Sequence, residues 1–291
     1  MLLISLSDGT NTATFTDTIA SDTGNIMIRR EAISGLWSAP TSKTSLNERQ
    51  TGNGAHDIED GRILYSSRTV TIPFVLRASS HEELQSLRNS IGMLMGKNIT
   101  MFVQDGTQQL DLYGFITPEY SDIYDRYTDT GSVTVICPRP EKLSHAAKNG
   151  MVYPTSAGIG GLYYGENRKG LVYPLTYGEQ ATDMRNIITI SNEGNMPSYP
   201  VMTITGEFDV LQVDWVSSNG TTNTVSYNGH VGEVPLVLDS RSQTANIGGA
   251  DMSKNLGYRG FPSIPPMGSV TFSLVAAGSG WMDVSARDTY I

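Results

Sequence analysis

The chain has 291 residues, a formal net charge of -9 and one cysteine, and at roughly 100–200 residues per domain this length points to two domains. A lone cysteine, Cys137, excludes an internal disulfide framework and a cysteine-based zinc site, while an acidic balance without a basic run argues against nucleic acid or an anionic membrane as the main partner. With 30 glycines and only 17% charged residues, the composition favours short strands and turns over long helices.

Residues 1–8 lack a basic start and reach Asp8 too early for a signal peptide, so synthesis in a cytoplasm without conventional export is expected. No stretch approaches the ~20 apolar residues that span a bilayer, and no membrane insertion is expected. Residues 39–61 are polar and without period, and hold Lys43, Glu48, Arg49, His56, Asp57, Glu59 and Asp60. So long an aperiodic run inside a compact domain reads as a loop, or as an arm that orders on a neighbouring chain.

Val70, Ile72, Phe74 and Leu76 then alternate with Thr69, Thr71, Pro73 and Val75, which spells a half-buried strand, with Pro73 marking an edge or a bulge. The one strong helix signal follows. Ser80 is placed to cap it, Glu83 to complete a capping box, and Leu84, Leu87, Ile91 and Leu94 recur at helical spacing before Gly96. Ile99, Met101 and Val103 alternate up to Asp105-Gly106, Leu110 and Leu112 begin the return of a hairpin, and Val133, Val135 and Cys137 form a further strand ended by Pro138 and Pro140. Residues 1–140 thus read as an α+β domain.

Residues 141–185 change character. Proline, glycine and tyrosine, among them Pro154, Pro174, Gly160, Gly161, Tyr163, Tyr164 and Tyr173, make this span an extended connector. Alternation resumes at Ile188 and Ile190 and recurs around Val201–Ile204, Phe208, Val213, Val225, Leu236, Val270, Phe272 and Val284. Asn219-Gly220, Asn228-Gly229, Gly248-Gly249 and Pro265-Pro266 separate these runs. Residues 186–291 therefore read as a β-sandwich or jelly roll.

Chemistry is harder to find. Asp-Thr-Gly occurs at Asp22-Thr23-Gly24 and at Asp129-Thr130-Gly131, and two such loops facing each other would hold the paired carboxylates of an aspartic protease. Neither copy follows an apolar run, so both read as exposed turns. His56, His81, His145 and His230 lie far apart without metal-ligand spacing, and Asp122, Asp125 and Asp129 read as a solvated acidic edge. No nucleophile elbow, Walker loop or dinucleotide fingerprint is present. The expectation is no enzyme, no cofactor and no metal.

The order of these signals resembles the siphophage distal tail protein family. The resemblance rests on residues 61–76 with the arginine-bearing strand at Arg68 and the helix behind it, on Val133–Pro140, on Ile190–Ile204 with Asn192, Gly194 and Pro197, and on Asp239–Ser242 with Phe261–Phe272, where Met267 stands in place of a usual proline-glycine pair. Residues 170–178 are similar to members from actinobacterial phages. The resemblance implies a structural virion protein at the tip of a long non-contractile tail, made in the host cytoplasm. It implies a ring-forming N-terminal domain that closes a homo-hexamer, an arm over 39–61 that reaches the neighbouring subunit, and a galectin-like β-sandwich outside the ring. Implied partners are the tail tube protein, a tail-associated tip protein and a receptor-binding protein. Negative charge would suit a lumen through which DNA passes without capture.

A carbohydrate-binding β-sandwich is the competing reading, with Trp215, Tyr227 and Trp281 as candidate carbohydrate or partner contacts. For Trp215, within Val213-Asp214-Trp215-Val216, an inward position in the core is the favoured alternative.

Overall fold

A computed structural model describes residues 2–17, 25–28, 33–58, 63–121, 125–154 and 186–291. It divides into two compact units, residues 1–145 with 290–291, and residues 146–289.

The first unit is a closed barrel. Its strands are β1 (Leu2–Ser7), β2 (Thr12–Thr16), β3 (Asn25–Ile28), β4 (Arg68–Arg77), β5 (Ile99–Asp105), β6 (Gln108–Tyr120) and β7 (Thr128–Cys137). They are hydrogen-bonded in the order β6-β5-β1-β2-β3-β4-β7, and β7 pairs back onto β6, so seven strands close on themselves. Closure leaves no strand edge along the barrel wall. The pairs are antiparallel except β2 with β3, where Phe15 faces Ile26 and Thr16 faces Met27. Alternation does the sorting. Ile4, Phe15, Val70, Ile72, Phe74, Leu76, Met101, Leu112, Val133 and Val135 point inward into one apolar core. A short β8 (Lys142–Ser144) pairs with β6, and β18 (Thr289–Tyr290) lies beside β8.

Pro73 lies within the ladder of β4 with β7, opposite Ser132 and without a register shift. On the other side of β4 the Thr71 N–H donates to Ser34 O, and β3 pairs with Phe74–Arg77. Residues 29–32, between these two pairings, lie outside the described residues.

Helix α1 (His81–Gly92) is capped by the Ser80 hydroxyl, which accepts from the Glu83 N–H at 3.1 Å. Glu83 closes the cap one residue earlier than a capping box requires, accepting from the N–H and hydroxyl of Ser79. Leu84, Ile91 and Leu94 are buried in the barrel core and Leu87 packs against it. Arg88 also ties the helix to β7 through the buried carboxylate of Asp129, at 2.6 Å.

The second unit is a nine-stranded β-sheet built on two long strands, β11 (Val201–Ser217) and β17 (Gly268–Ala286), which pair along their length. Around them lie β9 (Lys148–Val152), β10 (Ile187–Asn192), β12 (Thr222–Tyr227), β13 (Leu236–Asp239), β14 (Thr244–Ile247), β15 (Ala250–Asp251) and β16 (Leu256–Arg259). β9 and β13 flank one half of the long pair, and β10 and β12 the other half. Between the halves Gly206 pairs with Gly280, Phe208 pairs with Gly278, and the register then shifts. All three glycines have positive φ, at 134°, 153° and 147° in that order. A Cβ on any of them would sit 2.1–2.2 Å from a backbone oxygen of the opposing strand. The long pair turns here, and side chains from both halves meet in one core.

The expected strand runs are present, but the runs at Val201, Phe208 and Val213 are one strand, as are those at Val270 and Val284. The span expected to open the connector carries β8 and β9, and residues 155–185 lie outside the described residues.

Candidate functional site

The segment between β3 and β4 is the part of the first unit that leaves the barrel. It begins pinned. Ser34 forms an antiparallel bridge with Thr71, Gly35 adopts φ 77°, and a Cβ there would lie 1.8 Å from the Thr69 oxygen, so the backbones touch only because residue 35 has no side chain. Leu36 is fully buried in the barrel core. From Trp37 to Ser67 no described residue is buried.

That exposed stretch has its own loose pairing. Lys43 N–H donates to Leu64 O at 2.8 Å and Ser66 N–H to Thr41 O at 2.8 Å, while Arg49 N–H donates to Gly54 O and His56 N–H to Asn47 O farther out. With bridges Ser42–Tyr65 and Glu48–Ala55, two legs run antiparallel to a tip at residues 50–53. Arg49 and Asp57 form an exposed ion pair at 3.0 Å. Trp37, Leu46, Ile63 and Leu64 are large apolar residues 48–65% exposed. The segment expected as a loop or an arm over 39–61 thus has two paired legs among its described residues, and its pinned root starts at Ser34.

The return leg re-enters at Arg68, an inward-facing position of β4 that is 1% exposed. Its Nε donates to Pro140 O at 2.8 Å, and its Nη1 to Gly35 O at 2.7 Å, Ser38 O at 2.7 Å and Leu36 O at 3.3 Å. Lys142 Nζ reaches the same Leu36 O at 3.4 Å. Two buried cations are therefore held by backbone carbonyls. The electrostatic consequences agree. Burial and the neighbouring Arg68 push Lys142 down to about 8, and burial raises the Cys137 thiol to about 11 against the lowering pull of Arg68. The sequence offered Arg68 only as part of a resemblance, and Lys142 not at all, since their partners lie 30–106 residues away.

The catalytic alternatives lose their geometry. Asp129-Thr130-Gly131 lies within β7 and is no exposed turn; Asp129 is paired with Arg88 and accepts from the Thr130 N–H. A shallow hollow of 340 Å³ beside it is lined by a single acid, Glu119. Asp22-Thr23-Gly24 falls outside the described residues, as do Asp122 and Tyr124. His56 sits on the arm and His81 opens α1, while His145 contacts Asp111 at 3.0 Å and His230 contacts Asp209 at 3.0 Å. Among the described residues no group of three His, Cys, Asp or Glu could hold a metal ion, and no helix is long and apolar enough to cross a membrane.

The three candidate contact aromatics do not come together. Trp215 is 6% exposed with its indole N–H on Gly260 O, and Tyr227 is 1% exposed with its hydroxyl accepting from Asn255. Both are buried in the core of the second unit. Trp281 is half-buried, its indole N–H on Asp283 at 2.9 Å.

The quoted motifs of the second unit have structural work. Asn192 is buried. Its Nδ2 donates to Met196 O, Ile264 O and Pro265 O, and its Oδ1 accepts from the N–H groups of Gly194 and Thr289. Met267, in the altered turn, takes φ 52° and keeps the turn closed through Gly268 N–H to Pro265 O.

No protein-family model matches the sequence, and no curated protein sequence matches it significantly. The fold does match solved structures. The chain is similar to the Dit protein of phage SPP1, described as a paradigm of the hub adsorption apparatus in phages infecting Gram-positive bacteria. That likeness has a TM-score of 0.62 and 9% identity over 100% of both chains. It is also similar to a chain of the phage P2 baseplate in its activated conformation with Ca, with a TM-score of 0.53 and 12% identity over 99% of this chain and 98% of that one. Another is a chain of that baseplate with Sr, at a TM-score of 0.50 and 12% identity over 98% of each.

Proposed function

We propose that the chain is a distal tail protein of a siphophage, a structural virion component that forms a hexameric ring at the tail end and joins the tail tube to the host-recognition apparatus. One observation carries the reading: both units, in order and over the whole length, share the fold of a phage tail hub protein. A fold alone does not fix a function, and the arm supplies the second support. A pinned root with an exposed apolar excursion suits a contact with a neighbouring copy, because each copy in a closed ring presents the same arm to the next.

In this reading the barrel makes the ring, and the second unit is a galectin-like carrier for the receptor-binding or tip proteins, with Trp281 as its candidate contact. Light scattering at several concentrations, with negative-stain images of the same fractions, tests it. A six-membered ring with a central hole is expected. A monomer at all concentrations, alone and with tail tube protein added, would overturn it.

A further inference from the structure

The arm has little to hold it in place by itself. Its legs share two isolated bridges, none of its described residues is buried, and an exposed ribbon of this kind is marginal on its own. Its direction therefore has to be set at the root. Among the described residues one side chain of the returning leg binds the outgoing one there: Arg68, at the end of the return leg, donates to three carbonyls of residues 35–38.

The arrangement is costly in a way that apolar packing would not be. Arg68 fills an inward position whose neighbours along β4 are Val70, Ile72, Phe74 and Leu76. Its partners there are carbonyl dipoles, its Nη2 is buried without a hydrogen-bond partner, and Lys142 adds a second cation on Leu36 O. Burying charge against dipoles costs desolvation, and an apolar side chain would fill the barrel end as well. What an apolar side chain lacks is the planar fork that fixes several carbonyls at once.

We infer that Arg68 is a positioning residue for assembly: its guanidinium latches the root of the arm so that the exposed legs are presented in one direction to a second copy of the chain. The inference rests on the proposed ring, but the latch itself is a property of the single chain. It also assigns Lys142 a supporting role, holding Leu36 O from β8.

The test separates latch, barrel and ring. Full-length Arg68→Lys keeps the charge and loses the fork; Arg68→Met loses both. Amide hydrogen exchange is followed at the root and legs, including Lys43 and Ser66, and separately along β5, β6 and β7. Ring population is read by light scattering. For Arg68→Lys, exchange at the root and legs rises on the order of tenfold while barrel exchange stays as in the parent chain. The ring-forming concentration rises by a similar factor. Arg68→Met moves in the same direction and further, and if it fails to fold, Arg68→Lys decides.

Unchanged arm exchange in a folded Arg68→Lys chain would overturn the latch. So would faster exchange throughout the barrel, since Arg68 would then be a barrel residue with no special claim on the arm. Should the parent chain form no ring, the exchange result still judges the latch, and the failure belongs to the ring reading alone.

Discussion

Each unit is tied by one buried polar side chain that gathers backbone carbonyls, and the two differ in a telling way. Asn192 is neutral, uses both ends of its amide, and binds loops that stay in the folded body, around Met196, Ile264 and Thr289. Arg68 is charged, leaves one nitrogen unpaired, and binds a segment that departs from the body. A neutral amide satisfied on all sides closes a structure at little electrostatic cost. A buried cation is kept where a multi-pronged donor is needed to hold a chain about to leave. The second unit is knotted shut, while the first is clamped at an opening.

Breaking the closed unit should have the largest effects. Gly280→Ala places a Cβ 2.2 Å from Thr205 O at φ 153°, and the long pair cannot then turn without distortion. A loss of about 3–4 kcal/mol is expected, read as a lower urea midpoint for Trp215 emission in a chain whose Trp37 and Trp281 are replaced by phenylalanine, with that chain as the reference. Asn192→Ala removes the acceptor of the Gly194 and Thr289 N–H groups and the donor to Met196 O at a buried site, while Ile264 O and Pro265 O keep the N–H groups of Ser198 and Gly268. It should cost about 2–4 kcal/mol in the same assay. A midpoint unmoved by Asn192→Ala would show that the loops hold without their knot.

How much of this contrast the sequence carried depends on distance along the chain. Helix α1 was legible because cap, stripe and stop all lie within residues 80–96. The strands β4, β5 and β7 were legible because alternation is local. Barrel closure was not, since it depends on β7 meeting β6 and β4 at once, which no local pattern encodes. The length of β11 was hidden by Gly206 and the exposed Val210, which interrupt the alternation where the strand turns. Trp215 was legible as core from its place in Val213-Asp214-Trp215-Val216, whereas Tyr227 was not, as its strand ends in three consecutive buried residues. Of the candidate site, the arm was visible as a polar run without period. Its root was invisible, because Gly35, Arg68 and the pair Pro140 and Lys142 converge from three separate stretches of the chain.

The clamp is sensitive to pH, and the sign can be worked out. Burial brings Lys142 to about 8 from the ordinary 10.5. Below about 8 the folded chain bears the full cost of holding that proton; between 8 and 10.5 only the unfolded chain keeps it, so stability rises with pH across this window. Cys137 opposes it from above. Its thiol stays protonated to about 11 in the fold against an ordinary 9.0, so stability falls between 9 and 11. Lys142→Met should therefore stabilise the first unit at pH 7 by about 1–3 kcal/mol and flatten the rise between pH 8 and 9. Labelling of Cys137 in urea measures this, because the only cysteine is buried in this unit and reacts on opening. The same thiol should resist alkylating reagents in the folded chain. Rapid native labelling would contradict its placement in the core.

The smallest effect on stability should come from the arm itself, and that smallness is the sharpest form of the comparison. Leu46 and Leu64 are 62% and 65% exposed, so replacing either with serine removes almost no buried surface. Leu46→Ser and Leu64→Ser should change unfolding midpoints by no more than about 0.5 kcal/mol. If the arm docks on a second copy, the same changes delete apolar contacts that exist only in the ring, and the ring-forming concentration should rise by about tenfold or more. Assembly unchanged in the double variant would leave the arm without a partner. An equal loss of stability and assembly would mean that these leucines belong to the body after all. A clamp that holds an arm for others predicts the split: stability untouched, assembly weakened.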